Sequence, residues 1–136
     1  MREIKNENKE LSKYRLTRAK EDILAAETLY NAKEYRGANN RAYYAIFHAI
    51  RAVLATDGYD SKKHSGVIAE FRKNYIKTGI FQTEISDMIG NAFLVRNASD
   101  YDDMFIAERS QTEKQILNAK NVIGAVEKYL SSQGTL

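Results

Sequence analysis

The sequence ANNRAYYAIFHAIRAVLAT at residues 38–56 decides the fold. At helical spacing its apolar residues form two adjacent rows: Tyr43, Phe47, Ile50 and Leu54, and beside them Ile46, Ala49 and Val53. A helix that is apolar over so wide an arc is typical of a position with neighbours on several sides. We therefore predict that this segment is the central helix of an all-α protein.

The rest of the chain has the same pattern of apolar side chains at steps of three and four residues. We predict five helices, at about residues 9–30, 38–56, 62–77, 82–99 and 111–130. Connections at residues 31–37, 57–58 and 101–105 separate these helices, which we expect to pack as a bundle. Ser110 and Glu113 match a capping box at the start of the last helix.

Length and composition fit one helical domain spanning residues 1–136. A chain of 136 residues has the usual size of a single domain, and we expect a core over about residues 10–130 with frayed ends. Hydrophobic residues make up 43% and charged residues 29%, which argues against a disordered chain. The chain contains no proline, so long helices can run uninterrupted.

The composition also excludes several classes of site. Without cysteine there is no disulfide, thiolate metal site or cysteine nucleophile. His48 and His64 are far apart and lack carboxylates at ligand spacing, so we predict neither a metal site nor a cofactor. The N-terminus has no signal-peptide pattern, and no stretch approaches the about 18 apolar residues of a membrane span. We expect a cytoplasmic protein that does not contact membranes.

The central helix carries a polar face beside its apolar rows. Arg41, Tyr44, His48 and Arg51 follow one another at steps of three, four and three residues, so they share one side of the helix. One interpretation is a binding site. The alternative is structural, with Tyr44 and His48 buried in satisfied hydrogen bonds and both arginines in solvent.

Two further polar groups are candidates for a site. Arg96 lies on or beside the core face of the fourth helix, where an arginine is costly unless it is paired or lies at a cleft. Asp100, four residues on, is a partner at helical spacing. Lys63 and His64 lie at a helix start, where free amides attract anions such as phosphate. For Arg96 the alternative is a structural ion pair with Asp100. For Lys63 and His64 the alternative is an exposed, mobile, basic helix start.

Three segments together resemble the HEPN domain family, the higher eukaryote and prokaryote nucleotide-binding family. They are RAYYAIFHAIRA at 41–52, KHSGVIAEF at 63–71 and RNASDY at 96–101, and the likeness covers about residues 10–130. The small prokaryotic members are the most similar subgroup. The resemblance implies an up-and-down bundle that forms a homodimer and acts near RNA or nucleotides. Many members are metal-independent endoribonucleases of toxin–antitoxin modules, and small nucleotidyltransferases are frequent partners.

The family's catalytic signature is an arginine, four to six residues and a histidine, and the two copies meet across the dimer interface. Arg96 matches the arginine, but Tyr101 stands five residues later and no histidine follows. RNA cleavage without a metal needs a base for the 2′-hydroxyl and a cation for the phosphorane. Arg96 supplies the cation. Tyr101 is a poor base, since a phenol titrates near ~10, which leaves His48, His64 or Asp100.

Two functions therefore stay open, and with them the question of whether the chain is an enzyme. In a nuclease, Arg96 stabilises the transition state, His64 or Asp100 acts as acid or base, and Tyr101 positions the phosphate. In a non-catalytic dimeric binding module, Arg41, Arg96 and His64 face a nucleotidyltransferase, a nucleotide or RNA. The resemblance also implies Tyr101 as an acceptor of a nucleotide added by the partner, against an alternative role in packing. A helical dimer without a nucleic-acid role is the third interpretation.

Overall fold

The computed structural model describes residues 2–136, and in these residues the chain forms five α-helices. They are α1 (Asn6–Asn31), α2 (Tyr35–Ala55), α3 (His64–Phe71), α4 (Thr83–Tyr101) and α5 (Arg109–Ser132). One π-helical turn, Arg72–Ile76, continues α3. The predicted all-α architecture of about five helices is confirmed.

α2 is the centre of the bundle and packs against each of the other four helices. Its alanines at positions 42, 45, 49 and 52 are fully buried, so the backbones of neighbouring helices approach closely. Tyr43, Ile46 and Ile50 fill the remaining space and are also buried. The prediction that residues 38–56 form the central helix is confirmed.

The connection between α1 and α2 is shorter than predicted. It spans residues 32–34 rather than 31–37, because Lys33 adopts a left-handed conformation with a φ of 64° and turns the chain sharply. Gly37 lies inside α2, where an added Cβ would stand 3.3 Å from the Leu29 side chain. The glycine therefore permits close packing of α1 and α2, and the predicted loop at Gly37 was wrong.

The third helix differs in geometry from the uniform helix predicted at 62–77. It begins at His64, and after Phe71 the backbone widens into the π-helical turn, in which Lys77 N donates to Arg72 O at 2.9 Å. Gly79, with a φ of 79°, follows this turn. Such turns are rare in proteins and change the direction of the side chains at their start.

The predicted capping box at the start of the last helix is wrong. α5 begins at Arg109, before Ser110, and Glu113 accepts a hydrogen bond from the Tyr30 hydroxyl at 3.0 Å rather than forming a capping box. Near the C-terminus, Thr135 is buried and its N–H donates to Leu130 O at 3.0 Å. Ile4 is buried at the other end.

Replacement of a large buried side chain of α2 should destabilise the whole bundle. We expect Ile50→Ala, at a fully buried position, to lower the free energy of unfolding by about 2–5 kcal/mol through lost burial and a residual cavity. Urea denaturation followed by circular dichroism measures this loss. Leu24→Ala, at an exposed position of α1, is the control and should change stability by less than about 0.5 kcal/mol. Equal effects of both substitutions would contradict the central role of α2.

Candidate functional site

Arg96 is the centre of a polar cluster between α2 and α4. Its Nη2 donates a hydrogen bond to the Tyr44 hydroxyl at 3.0 Å, and its Nε lies 3.0 Å from Asp100 Oδ2. The Nε–H does not point at that oxygen, so the second contact is an ion pair rather than a directed hydrogen bond. The Arg96 side chain is only 14% exposed. The predicted pairing of Arg96 with Asp100 is therefore present in the structure.

Three tyrosine rings surround the same guanidinium. Its central carbon lies 5.4 Å from the ring centroids of Tyr43 and Tyr44 and 5.5 Å from that of Tyr101. At these distances the negative face of an aromatic ring attracts a cation. Arg96 is thus held in a fixed position by α2 and by its own helix, and it does not extend freely into solvent.

A chain of hydrogen bonds extends the cluster along α2 to α1. Asn40 donates to Asp100 Oδ2 at 2.8 Å and accepts from Arg41 Nε at 3.1 Å. Arg41 in turn donates to Asp22 Oδ1 at 3.2 Å, and its guanidinium lies 4.8 Å from the Tyr44 ring centroid. Asn40 was not predicted as a site residue, although its position four residues before Tyr44 places it on the same helical face.

His64 lies in the same cluster and is packed. Its ring stacks on Phe47 with centroids 4.1 Å apart, and Nδ1 lies 2.8 Å from the Tyr43 hydroxyl. Burial lowers the pKa of His64, and the nearby charges of Arg96 and Arg51 lower it further, so the imidazole is neutral near pH 7. Burial raises the pKa of Tyr43, which keeps its phenol protonated. The alternative of a loose, exposed basic helix start is wrong for His64.

The fold therefore brings the neutral imidazole of His64 close to Arg96, although the two residues are far apart in the sequence. The rings of His64 and Tyr44 have centroids 5.7 Å apart, and Tyr44 is hydrogen-bonded to Arg96. A neutral imidazole can accept a proton, and a guanidinium can stabilise negative charge on a phosphate. Tyr43, which connects the two groups, was predicted only as a core residue.

His48 lies at the other end of the polar face, toward α1. Its Nε2 is 3.5 Å from Asp22 Oδ2, a buried carboxylate. Burial lowers the pKa of His48 to about 4, and the charges of four arginines, at positions 15, 18, 41 and 51, lower it further. Burial also raises the pKa of Asp22, although the charge of Arg41 opposes this effect. His48 is therefore neutral near pH 7.

The arginines of this face are paired with carboxylates, which contradicts the alternative in which both are simply solvated. Arg41 contacts Asp22, and Arg51 Nη2 lies 2.9 Å from Asp60 Oδ1. The buried Arg15 of α1 contacts the same oxygen at 3.0 Å. Asp60 lies in the loop before α3, so this clamp fixes the loop that leads to His64. The hydrogen bond from Arg51 and the nearby charge of Arg15 lower the pKa of Asp60.

Lys63 and Tyr101 lie at the exposed rim of the cluster. Lys63 precedes α3, and its backbone N–H donates to Ser61 Oγ at 3.2 Å. Tyr101 ends α4 and is 73% exposed. Within residues 2–136 no three metal-ligating side chains gather at one place. No helix of the same range is long and apolar enough to cross a membrane.

The two partly buried histidines should make the free energy of unfolding depend on pH. His48 has a pKa of about 4 in the folded state and about 6.5 in an unfolded chain, so the unfolded state binds more protons between these values. Stability should therefore fall as the pH drops through 6.5, by on the order of 2 kcal/mol between pH 7 and pH 5 from His48. The lowered pKa of His64 acts in the same direction. The raised pKa of Asp22 acts in the opposite direction at lower pH.

Urea denaturation at pH 7 and pH 5 measures this dependence. In His48→Gln the contribution of His48 is absent, so the difference between the two pH values should shrink relative to the unsubstituted protein. An unchanged difference in His48→Gln would show that His48 is not the source.

Comparison with known proteins assigns the chain to a family. The HEPN domain model matches residues 12–129. Over 121 residues the chain is 33% identical to "Putative toxin MJ0142" of Methanocaldococcus jannaschii, covering 89% of this chain and 82% of that protein. It is 34% identical over 112 residues to "Putative toxin MJ0605" of the same organism, covering 82% and 83%. A UPF0332 protein of Thermotoga maritima is 31% identical over 125 residues, covering 92% and 95%. The chain belongs to the HEPN domain family.

Proposed function

We propose that the chain is the RNA-directed component of a toxin–antitoxin module and cleaves RNA without a metal ion at the cluster around Arg96. Membership of the HEPN family and the names of two relatives support the toxin–antitoxin context. One observation favours cleavage above all. His64, as a neutral imidazole, is packed against the two tyrosines that hold Arg96. It offers the base that the sequence around Arg96 lacks.

The proposed reaction uses only groups of this chain and of RNA. With hydrogen on Nδ1, directed at the Tyr43 oxygen, His64 Nε2 accepts the proton of a ribose 2′-hydroxyl. The 2′-oxygen attacks the adjacent phosphorus, and the bond from phosphorus to the 5′-oxygen breaks. The products are a 2′,3′-cyclic phosphate and a 5′-hydroxyl, whose proton comes from water. Arg96 stabilises the added charge of the phosphorane.

The remaining predicted residues have supporting roles in this proposal. Asp100 holds the Arg96 guanidinium, and Tyr101 positions the phosphate from the rim. Arg41 and Lys63 attract the flanking phosphates. His48 is neutral and paired with Asp22, so its role is to hold the Arg41 side of the cluster in place.

We also propose that a second copy of the chain completes the groove. Apolar side chains of α4 and of the segment that follows it are exposed, with Met104 87% and Ile106 79% accessible, and Tyr101, also exposed, lies beside Arg96. An apolar surface of this kind is typical of an interface. The HEPN resemblance implies a homodimer in which the two signature segments meet, and such a dimer would cover these residues.

Cleavage in the presence of EDTA tests the nuclease proposal. We expect the unsubstituted protein to cleave total RNA with EDTA present, and Arg96→Ala and His64→Ala to be at least about 100-fold slower. The rate is measured on a fluorescent oligoribonucleotide. Arg109→Ala, an exposed arginine at the start of α5, is the matched control and should cleave at the unsubstituted rate.

Circular dichroism verifies that each variant is folded. Equal rates for the unsubstituted protein and Arg96→Ala would reject the proposed cation. A cleavage activity that EDTA abolishes would reject the metal-independent mechanism.

A second function is favoured by the exposure of Tyr101. Its ring lies beside the Arg96 guanidinium and on the rim of the cluster. The Tyr101 oxygen would attack the α-phosphorus of a nucleoside triphosphate held by a nucleotidyltransferase partner, and pyrophosphate would leave as the phenol loses its proton. Arg96 would attract the incoming phosphate. In this function the chain is a non-catalytic binding module that its partner modifies.

Mass spectrometry tests the second function. We expect the chain, co-expressed with the product of the neighbouring gene, to gain the mass of a nucleoside monophosphate on Tyr101. Tyr101→Phe should remove the modification, because it lacks the accepting oxygen. Tyr14→Phe, at another exposed tyrosine, should keep it. The absence of both a complex and an added mass would reject this function.

A further inference from the structure

A cavity between α3 and α4 lies beside the Arg96 cluster. It has a volume of about 190 Å³ and is lined by Ser65, Ile68, Ala69, Arg72, Gly90 and Phe93. The Phe93 ring centroid is 6.0 Å from that of Tyr43, the residue that contacts both His64 and Arg96. Ser65 follows His64 in α3. A ligand in this cavity would therefore lie next to a phosphate bound at Arg96.

Arg72 is held in a fixed position at this cavity. Its Nε donates to Ser86 Oγ at 2.9 Å, and its Nη2 donates to Ser86 O at 3.3 Å. An arginine has five N–H groups, so these two bonds leave three for a ligand. Arg72 also begins the π-helical turn, an irregularity that is frequent at functional sites.

Gly90 keeps the space next to this guanidinium open. A Cβ at position 90 would lie 3.0 Å from Arg72 Nη2, closer than ordinary van der Waals contact. Glycine inside a helix is less favourable than alanine, and Gly90 lies within α4. The guanidinium therefore lies over the glycine, and a larger residue there would push it aside by a few tenths of an ångström.

The chemistry of the walls points to a nucleobase. Ile68, Ala69 and Phe93 offer apolar surface to a flat ring, and Arg72 offers only hydrogen-bond donors. Guanine presents two adjacent acceptors, O6 and N7, to which an arginine binds with two hydrogen bonds. Adenine and cytosine place an amino group on that edge, and uracil has a single acceptor there. The volume is below the roughly 300 Å³ of drug-sized pockets and suits one base.

We propose that this cavity binds a guanine base, held by Arg72 and packed against Phe93. In the context of the proposed nuclease, on which this part rests, the guanine belongs to a nucleotide beside the scissile phosphate. Cleavage is then selective for phosphates next to guanosine. Guanine binding itself does not require cleavage, so the two proposals can fail separately.

Titration of isotope-labelled protein with GMP, AMP, CMP and UMP, followed by NMR, tests the cavity. We expect GMP to shift the Gly90 amide and the Ile68 methyl signals and to bind about 10-fold more tightly than AMP. The same titration in Arg96→Ala removes phosphate binding at the neighbouring cluster. The preference for GMP should persist there, because it arises from Arg72.

Arg72→Lys keeps the charge but loses the planar pair of donors, so the preference for GMP over AMP should disappear. Gly90→Ala should weaken GMP binding by crowding the guanidinium, and thermal unfolding verifies that it folds. Arg109→Ala is the matched control and should bind GMP as the unsubstituted protein does.

Equal binding of the four nucleotides, no shift at Gly90 and Ile68, or a GMP preference that survives Arg72→Lys would overturn the guanine site. GMP selectivity in a protein that leaves RNA intact would support the cavity and reject the nuclease. RNA cleavage without selectivity for guanosine would reject the placement of the cavity beside the scissile phosphate and keep the nuclease.

Discussion

The burial of α2 is the constraint on which the rest of the structure depends. Because α1, α3, α4 and α5 all pack against it, only a narrow part of its surface is left for polar groups. Asn40, Arg41, Tyr44 and His48 occupy that part. Tyr43 is buried beside it, and its hydroxyl reaches out of the core to His64. The position of the cluster is therefore a consequence of how the core is packed.

Ion pairs with aspartates hold the arginines of the polar face of α2, and Arg96 of α4, in fixed positions. Arg41, Arg51 and Arg96 are each in contact with an aspartate, at Asp22, Asp60 and Asp100, respectively. A partly buried arginine without such a partner would be costly. The pairing also limits affinity for anions, because a phosphate at Arg96 must compete with Asp100.

The sequence predicts those features that depend on helical periodicity alone. The central helix, its polar face and the Arg96–Asp100 pair all follow from steps of three and four residues along one helix. The contact of His64 with Tyr43, the clamp at Asp60 and the cavity at Arg72 depend on how helices pack, so no local pattern indicates them. Gly37 shows a further limit: the same residue permits a loop or a close helix contact, and only the neighbouring Leu29 distinguishes the two.

In the proposed nuclease the base lies on α3 rather than on α4, and this changes what the site requires of the fold. In the family signature the arginine and the histidine lie on one segment, so local geometry fixes their separation. Here His64 reaches Arg96 only through the packing of α3 on α2, and Asp60, clamped by Arg15 and Arg51, fixes the loop between these helices. The α2–α3 loop is then part of the active geometry although it contacts no substrate. In this proposal Arg15 and Arg51 would influence the reaction through the position of His64, and Arg51 also through the pKa of His64.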